Sequence, residues 1–124
     1  MTQPIEATTM TLVSLALDAA AMRQQVGAHN IAVANTGAPL GRVEFEDRLT
    51  AIRSQLQSGT TPNLEQLRAM RPQVIWDGGS AKGVAGLDQE AARLSQNALH
   101  YQALVRSLGH YLDLRSSAIN DGKR

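Results

Sequence analysis

Three histidines, His29, His100 and His110, are the side chains best suited to chemistry near neutral pH. Their spacing decides against a shared role. His100 and His110 lie ten residues apart, about 15 Å along a helix, too far to hold one metal ion. His29 belongs to a different segment, and all three read as solvent-facing or internally satisfied. The acidic group Glu44, Glu46 and Asp47 lacks an oxygen-ligand loop and reads as a solvated helix face. Gly78 and Gly79, followed by Lys82 and Gly83, share only composition with a phosphate loop; G-x-x-x-x-G-K-[ST] is missing, and a flexible turn is the simpler account. The chain contains no cysteine, which excludes disulfides, thiolate metal sites and cysteine nucleophiles. No nucleophile–base pair stands out. The sequence therefore predicts no catalytic, cofactor-binding or metal-binding residues, and a protein that is not an enzyme.

Composition narrows the class further. The net charge is +1, acids and bases are interspersed, and the only basic cluster is Lys123-Arg124, which argues against a nucleic-acid partner. Hydrophobic residues make up 43% of the 124, yet only Phe45, Trp76, Tyr101 and Tyr111 are aromatic. A core built on Ala, Leu, Val and Ile favours helix–helix contacts in one domain. No stretch approaches the roughly 20 apolar residues of a membrane span. The first ten residues carry Glu6, no Lys or Arg, and no cleavable signal pattern, so any export is expected to use another route.

The elements that organise the chain are two heptad series. At the C-terminal end Leu87, Ala91, Leu94, Ala98, Tyr101, Val105, Leu108, Leu112, Arg115 and Ile119 step alternately by four and three, and only Arg115 is polar. That spacing keeps one seam of a helix against a partner. A helix from Leu87 to Ile119 is about 50 Å long. At the N-terminal end Leu12, Leu15, Ala19, Met22, Val26, His29 and Val33 form a matching series within a helix expected from about Thr9 to Ala34, with residues 1–7 frayed. Gly27 weakens that helix by about 1 kcal/mol relative to Ala. Asn35 to Pro39 ends it, through a left-handed cap and a proline exit.

Between the helices the pattern is short and irregular. Glu44 to Gln57 reads as a helix with Phe45, Leu49, Ile52 and Leu56 on one face and a Glu44–Arg48 pair. Asn63 to Arg71 reads as another, capped by Asn63 and stopped by Pro72. Gln73 to Trp76 suggests a brief strand, and Asp77-Gly78-Gly79 a turn. Gly83 and Gly86 are expected to keep the approach to the long helix flexible, with Asp88 and Glu90 complementing its dipole. The fold expected is mainly α: long terminal helices paired as an antiparallel, coiled-coil-like hairpin around a small middle. Its parts are residues 1–36, 37–86 and 87–124, one structural domain in total. The middle reads as too short and polar to cover both seams. The seams are thus expected to need further partners, and to be poorly ordered until they meet them.

At Ala28, Asn30, Ile31, Ala32 and Thr36 the sequence resembles the motif that ends the N-terminal helix in the bacterial flagellar rod and hook family, A-S-N-I-A-N-x-x-T-P-G-Y. Val33 stands in place of its second Asn, and Gly37-Ala38-Pro39-Leu40 in place of Pro-Gly-Tyr. Arg42 to Phe45 is similar to the segment that follows in the short proximal-rod branch. Residues 87–104, with Asn97, Tyr101 and Gln102, are similar to that branch's D-x-E-x-A-x-L-x-x-N-x-x-x-Y-Q-A-L pattern. The likeness covers roughly half the chain. It implies a non-enzymatic subunit, exported unprocessed through the flagellar type III apparatus and assembled in the periplasm into the proximal rod. The implied partners are copies of itself, the rod adaptor FliE and other proximal rod proteins. From the heptads alone, a cytosolic two-helix adaptor or chaperone-like module cradling a partner helix is the alternative.

Overall fold

The computed structural model describes residues 3–76 and 83–123. Two long helices, α1 (Gln3–Val33) and α4 (Gly83–Asp121), pack against each other as an antiparallel hairpin. Between them lie strand β1 (Gly41–Glu44), helices α2 (Glu46–Gln57) and α3 (Leu64–Ala69), and strand β2 (Gln73–Trp76). The fold class expected from the heptads is the one observed.

Helix α1 begins at Gln3, so residues 3–7 of the segment expected to fray are helical. Pro4 falls in the first turn, where a missing N–H breaks no intrahelical bond. The helix stops as anticipated. The Thr36 hydroxyl donates to the Val33 carbonyl at 2.8 Å, the Thr36 N–H donates to the same oxygen at 3.0 Å, and Gly37 adopts φ +77. Helix α4 starts at Gly83 rather than Leu87; Gly86 is inside it, and propagation costs little once a seam is packed. Glu90 therefore lies beyond the first turn and has no dipole role. It is buried, and Arg93 donates to it at 3.3 Å.

Strand β1 is unforeseen. It pairs antiparallel with β2, Gly41 opposite Trp76 and Glu44 opposite Gln73, and this two-stranded ribbon rests on α1. Four residues beginning with glycine carry little strand signal; tertiary pairing makes the strand. Because Glu44 ends β1, helix α2 starts at Glu46 with Phe45 at its N-cap. Glu46 and Asp47 in its first turn suit the helix dipole, and Arg23 of α1 pairs with Glu46. Helix α3 is capped as expected, the Glu65 N–H donating to the Asn63 side chain at 2.9 Å. The turn expected at residues 77–79, and Lys82, lie outside the described residues.

Candidate assembly surface

The core forms where the middle segment meets α1. Leu15, Ala19 and Phe45 are buried together, with Val43, Leu49 and Met70 packed around them. Val26 is buried beside Gly41, and the His29 ring meets Trp76 edge-on at 4.8 Å. The N-terminal heptad series thus faces the ribbon and the short helices. The two long helices pair as expected, but the residues of this series that are buried meet the middle segment rather than α4. Leu12, Met22 and Val33 on the same series are half-buried.

The surface of α1 that meets α4 lies one residue further round. An added Cβ at Gly27 would sit 2.7 Å from Leu94 Cδ1, so the α4 side chain packs directly on the α1 backbone there. The Asn97 amide donates to the Ala20 carbonyl at 2.7 Å and to the Gln24 side-chain oxygen at 2.9 Å. At the far end Arg115 approaches Glu6 at 3.9 Å. From the first contact to the last the pairing advances 21 residues on each helix, 27 to 6 and 94 to 115. Three whole heptads stay in one antiparallel register. Arg115, the polar break in the series, is an end-of-seam ion-pair residue.

On α4 the seam is correspondingly rotated. Leu87, Leu94, Ala98 and Leu108 of the expected series are half-buried, but so are Asn97, Leu104 and Tyr111, and Glu90 is buried. Ala91, Tyr101, Val105, Leu112 and Ile119 are exposed and do not belong to the intramolecular seam. Asn97 explains the shift. A polar residue reads as off-seam, yet its side chain bonds the facing helix and places its row against α1. Of the eight large hydrophobic residues most exposed among those described, six lie on α4: Leu99, Tyr101, Val105, Leu112, Leu114 and Ile119.

The family-like positions divide by role. Asn30 is buried, and it bonds the backbone of β1 twice: its amide donates to the Gly41 carbonyl at 2.9 Å, and its oxygen accepts from the Gly41 N–H at 2.8 Å. Thr36 closes α1 and Asn97 ties α4 to it. Ile31 is half-buried; Ala28, Ala32, Tyr101 and Gln102 are exposed. The two similar stretches, far apart in sequence, come to one cavity, which Asn30 of the first and Leu94 and Asn97 of the second both line. Spacing alone gave no sign of either asparagine's task, because a buried amide looks like any polar surface residue in a helix pattern.

A cavity of about 240 Å³ lies between α1, β1 and α4, with Arg23, Asn30, Arg42, Glu90, Arg93 and Asn97 on its walls. Its charges are internally engaged, Arg23 with Glu46 and Arg93 with Glu90. His100 and His110 are exposed, and no group of three or more His, Cys, Asp or Glu that could hold a metal occurs among the described residues. No described helix is long and apolar enough to cross a membrane. What the arrangement offers is surface for packing: a rigid hairpin with one apolar stripe of α4 left open. Comparison with protein-family models, curated proteins and solved structures finds no match to this chain.

Proposed function

We propose that this chain is a non-enzymatic structural subunit of the bacterial flagellar basal body, most like the proximal rod protein FlgB. The observation that carries the reading is that the two rod-like stretches line one cavity, Asn30 from the first and Leu94 and Asn97 from the second. Residues 28–36 and 87–104 supply Asn30, Thr36 and Asn97, and those three side chains fasten the ribbon, the end of α1 and α4 into one hairpin. The exposed stripe on α4 supports a role in lateral packing against neighbours. On this reading the partners are further copies of the chain, the adaptor FliE and other proximal rod proteins. The subunit reaches the periplasmic rod through the type III export apparatus.

Localisation is the test. The labelled chain should co-purify with isolated basal bodies, and deletion of its gene should abolish motility. A cytosolic pool with normal motility after deletion would overturn the rod reading in favour of a helical adaptor.

A further inference from the structure

The open stripe of α4 has a centre, Gly109. Glycine is the poorest helix former after proline, and Gly27, in α1, is accounted for by the close approach of Leu94. An added Cβ at Gly109 would meet nothing within 4 Å. Nothing in the single chain requires a glycine there. It lies between Val105 and Leu112, which are 45% and 44% exposed, in line with Ile119 at 50%. Alongside that row runs a second one, Ser95, Gln102, Gly109 and Ser116, all exposed. Together the rows have the spacing of a complete a/d seam, built beside the one that α1 occupies.

We infer that this face binds a second copy of the chain, α4 against α4, antiparallel across a two-fold axis. In the register that seats Leu112 of each copy over the partner's Gly109, the two central layers set a large residue against a small one. Val105 lies over the partner's Ser116, and Ile119 over the partner's Gln102. That last position borders a groove of about 390 Å³ between α1 and α4, with Ala20, Ala98 and Tyr101 on its walls. On α1 the same heptad row carries Ser14, Ala21 and Ala28, small and exposed, which leaves room for the partner hairpin beside the stripe.

The charges agree with the symmetry. Arg106 and Asp113 occupy one flanking row, seven residues apart, on either side of the axis. Antiparallel pairing puts the partner's Asp113 on the same flank as each Arg106, about 3 Å away along the axis and in reach of two symmetric ion pairs; a parallel pair would put each Arg106 level with the partner's Arg106. The overlap runs from about Ala98 to Asp121, roughly 35 Å of helix. A contact of that length buries on the order of 1,200 Å² over both copies, at the lower edge of the range for stable interfaces. Dissociation in the micromolar range is the corresponding expectation, about 1 µM. A closed dimer occupies the stripe that lateral packing in an open assembly would need, so the two states compete. The dimer itself does not depend on the flagellar reading.

Sedimentation velocity on the full chain, from about 1 to 200 µM, tests the inference. The expected result is a reversible monomer–dimer equilibrium. Gly109→Leu fills the hole that receives Leu112 and should leave a monomer of unchanged helix content, since the added side chain has open space in the single chain. Arg106→Asp should weaken the dimer about tenfold, and the double exchange Arg106→Asp with Asp113→Arg should restore it. Orientation is read by disulfide trapping, because the natural chain has no cysteine to interfere. A mixture of Arg106→Cys and Asp113→Cys chains should cross-link as a heterodimer, and neither alone should cross-link efficiently. A monomer throughout the range, an open-ended series of larger species, a dimer indifferent to Gly109→Leu, or self-cross-linking of Arg106→Cys would each overturn it.

Discussion

Replacing Asn30 by alanine removes a side chain that fastens the ribbon to α1 through both backbone hydrogen-bonding groups of Gly41. Asn30 is 4% exposed, and its two bonds to Gly41 measure 2.8 and 2.9 Å. Truncation leaves the buried Gly41 N–H and C=O without partners, at about 1–3 kcal/mol each. Gly41 is on the wall of the 240 Å³ cavity, which can admit water beside it, and the lower half of the range is taken. The expected loss is about 2–4 kcal/mol, a large share of the roughly 5–15 kcal/mol that holds a domain together. At this chain length that lowers Tm by about 8–16 °C. Trp76, the only tryptophan, packs directly over Gly41 and reports on the same junction. Its emission should shift to the red at or before the loss of helical circular dichroism. Asn30→Asp keeps an acceptor for the Gly41 N–H but sets oxygen against the Gly41 carbonyl, so it should retain most of the loss. A decrease below about 1 kcal/mol for Asn30→Ala, with Trp76 emission unchanged, would refute the assignment of Asn30 as the ribbon's anchor.

Four further outcomes follow from the geometry. Gly41→Ala forces a Cβ to 2.7 Å from the Trp76 ring and 2.9 Å from Val26, and should cost about 1–3 kcal/mol in urea unfolding. Gly109→Ala, measured in dilute solution, should stabilise the chain by about 1 kcal/mol, because the site is open in the single chain; the same change at Gly27 should gain much less, since Leu94 Cδ1 must move aside. Leu94→Asp puts a charge into the α1–α4 seam and should unfold the hairpin, whereas Leu112→Asp, on the open stripe, should leave helix content intact and abolish association. Arg115→Ala should change stability by less than about 0.5 kcal/mol, because its 3.9 Å pair with Glu6 is well exposed to solvent.

The hairpin was legible in the sequence because heptad spacing at the two ends survives any choice of neighbour. Which stripe meets which neighbour was not. On α1, Leu15, Ala19 and Val26 make an apolar row, but Val13, Ala20 and Gly27 make another one residue on, and both are occupied: the first by the ribbon and short helices, the second by α4. On α4 the same degeneracy recurs, with Val105 and Leu112 as apolar as Leu104 and Leu108. Hydrophobic pattern alone cannot rank such stripes. The choice rests on two amides, buried Asn30 and half-buried Asn97, and one buried glycine, Gly27, none of which counts as an apolar position in a heptad pattern. Those three positions specify the register because burial is costly for each unless its partner arrives: the amides need particular backbone groups, and the glycine needs a leucine at its surface. A sequence whose apolar stripes are interchangeable is thus given one arrangement by its polar and small residues, and one stripe of α4 is left exposed.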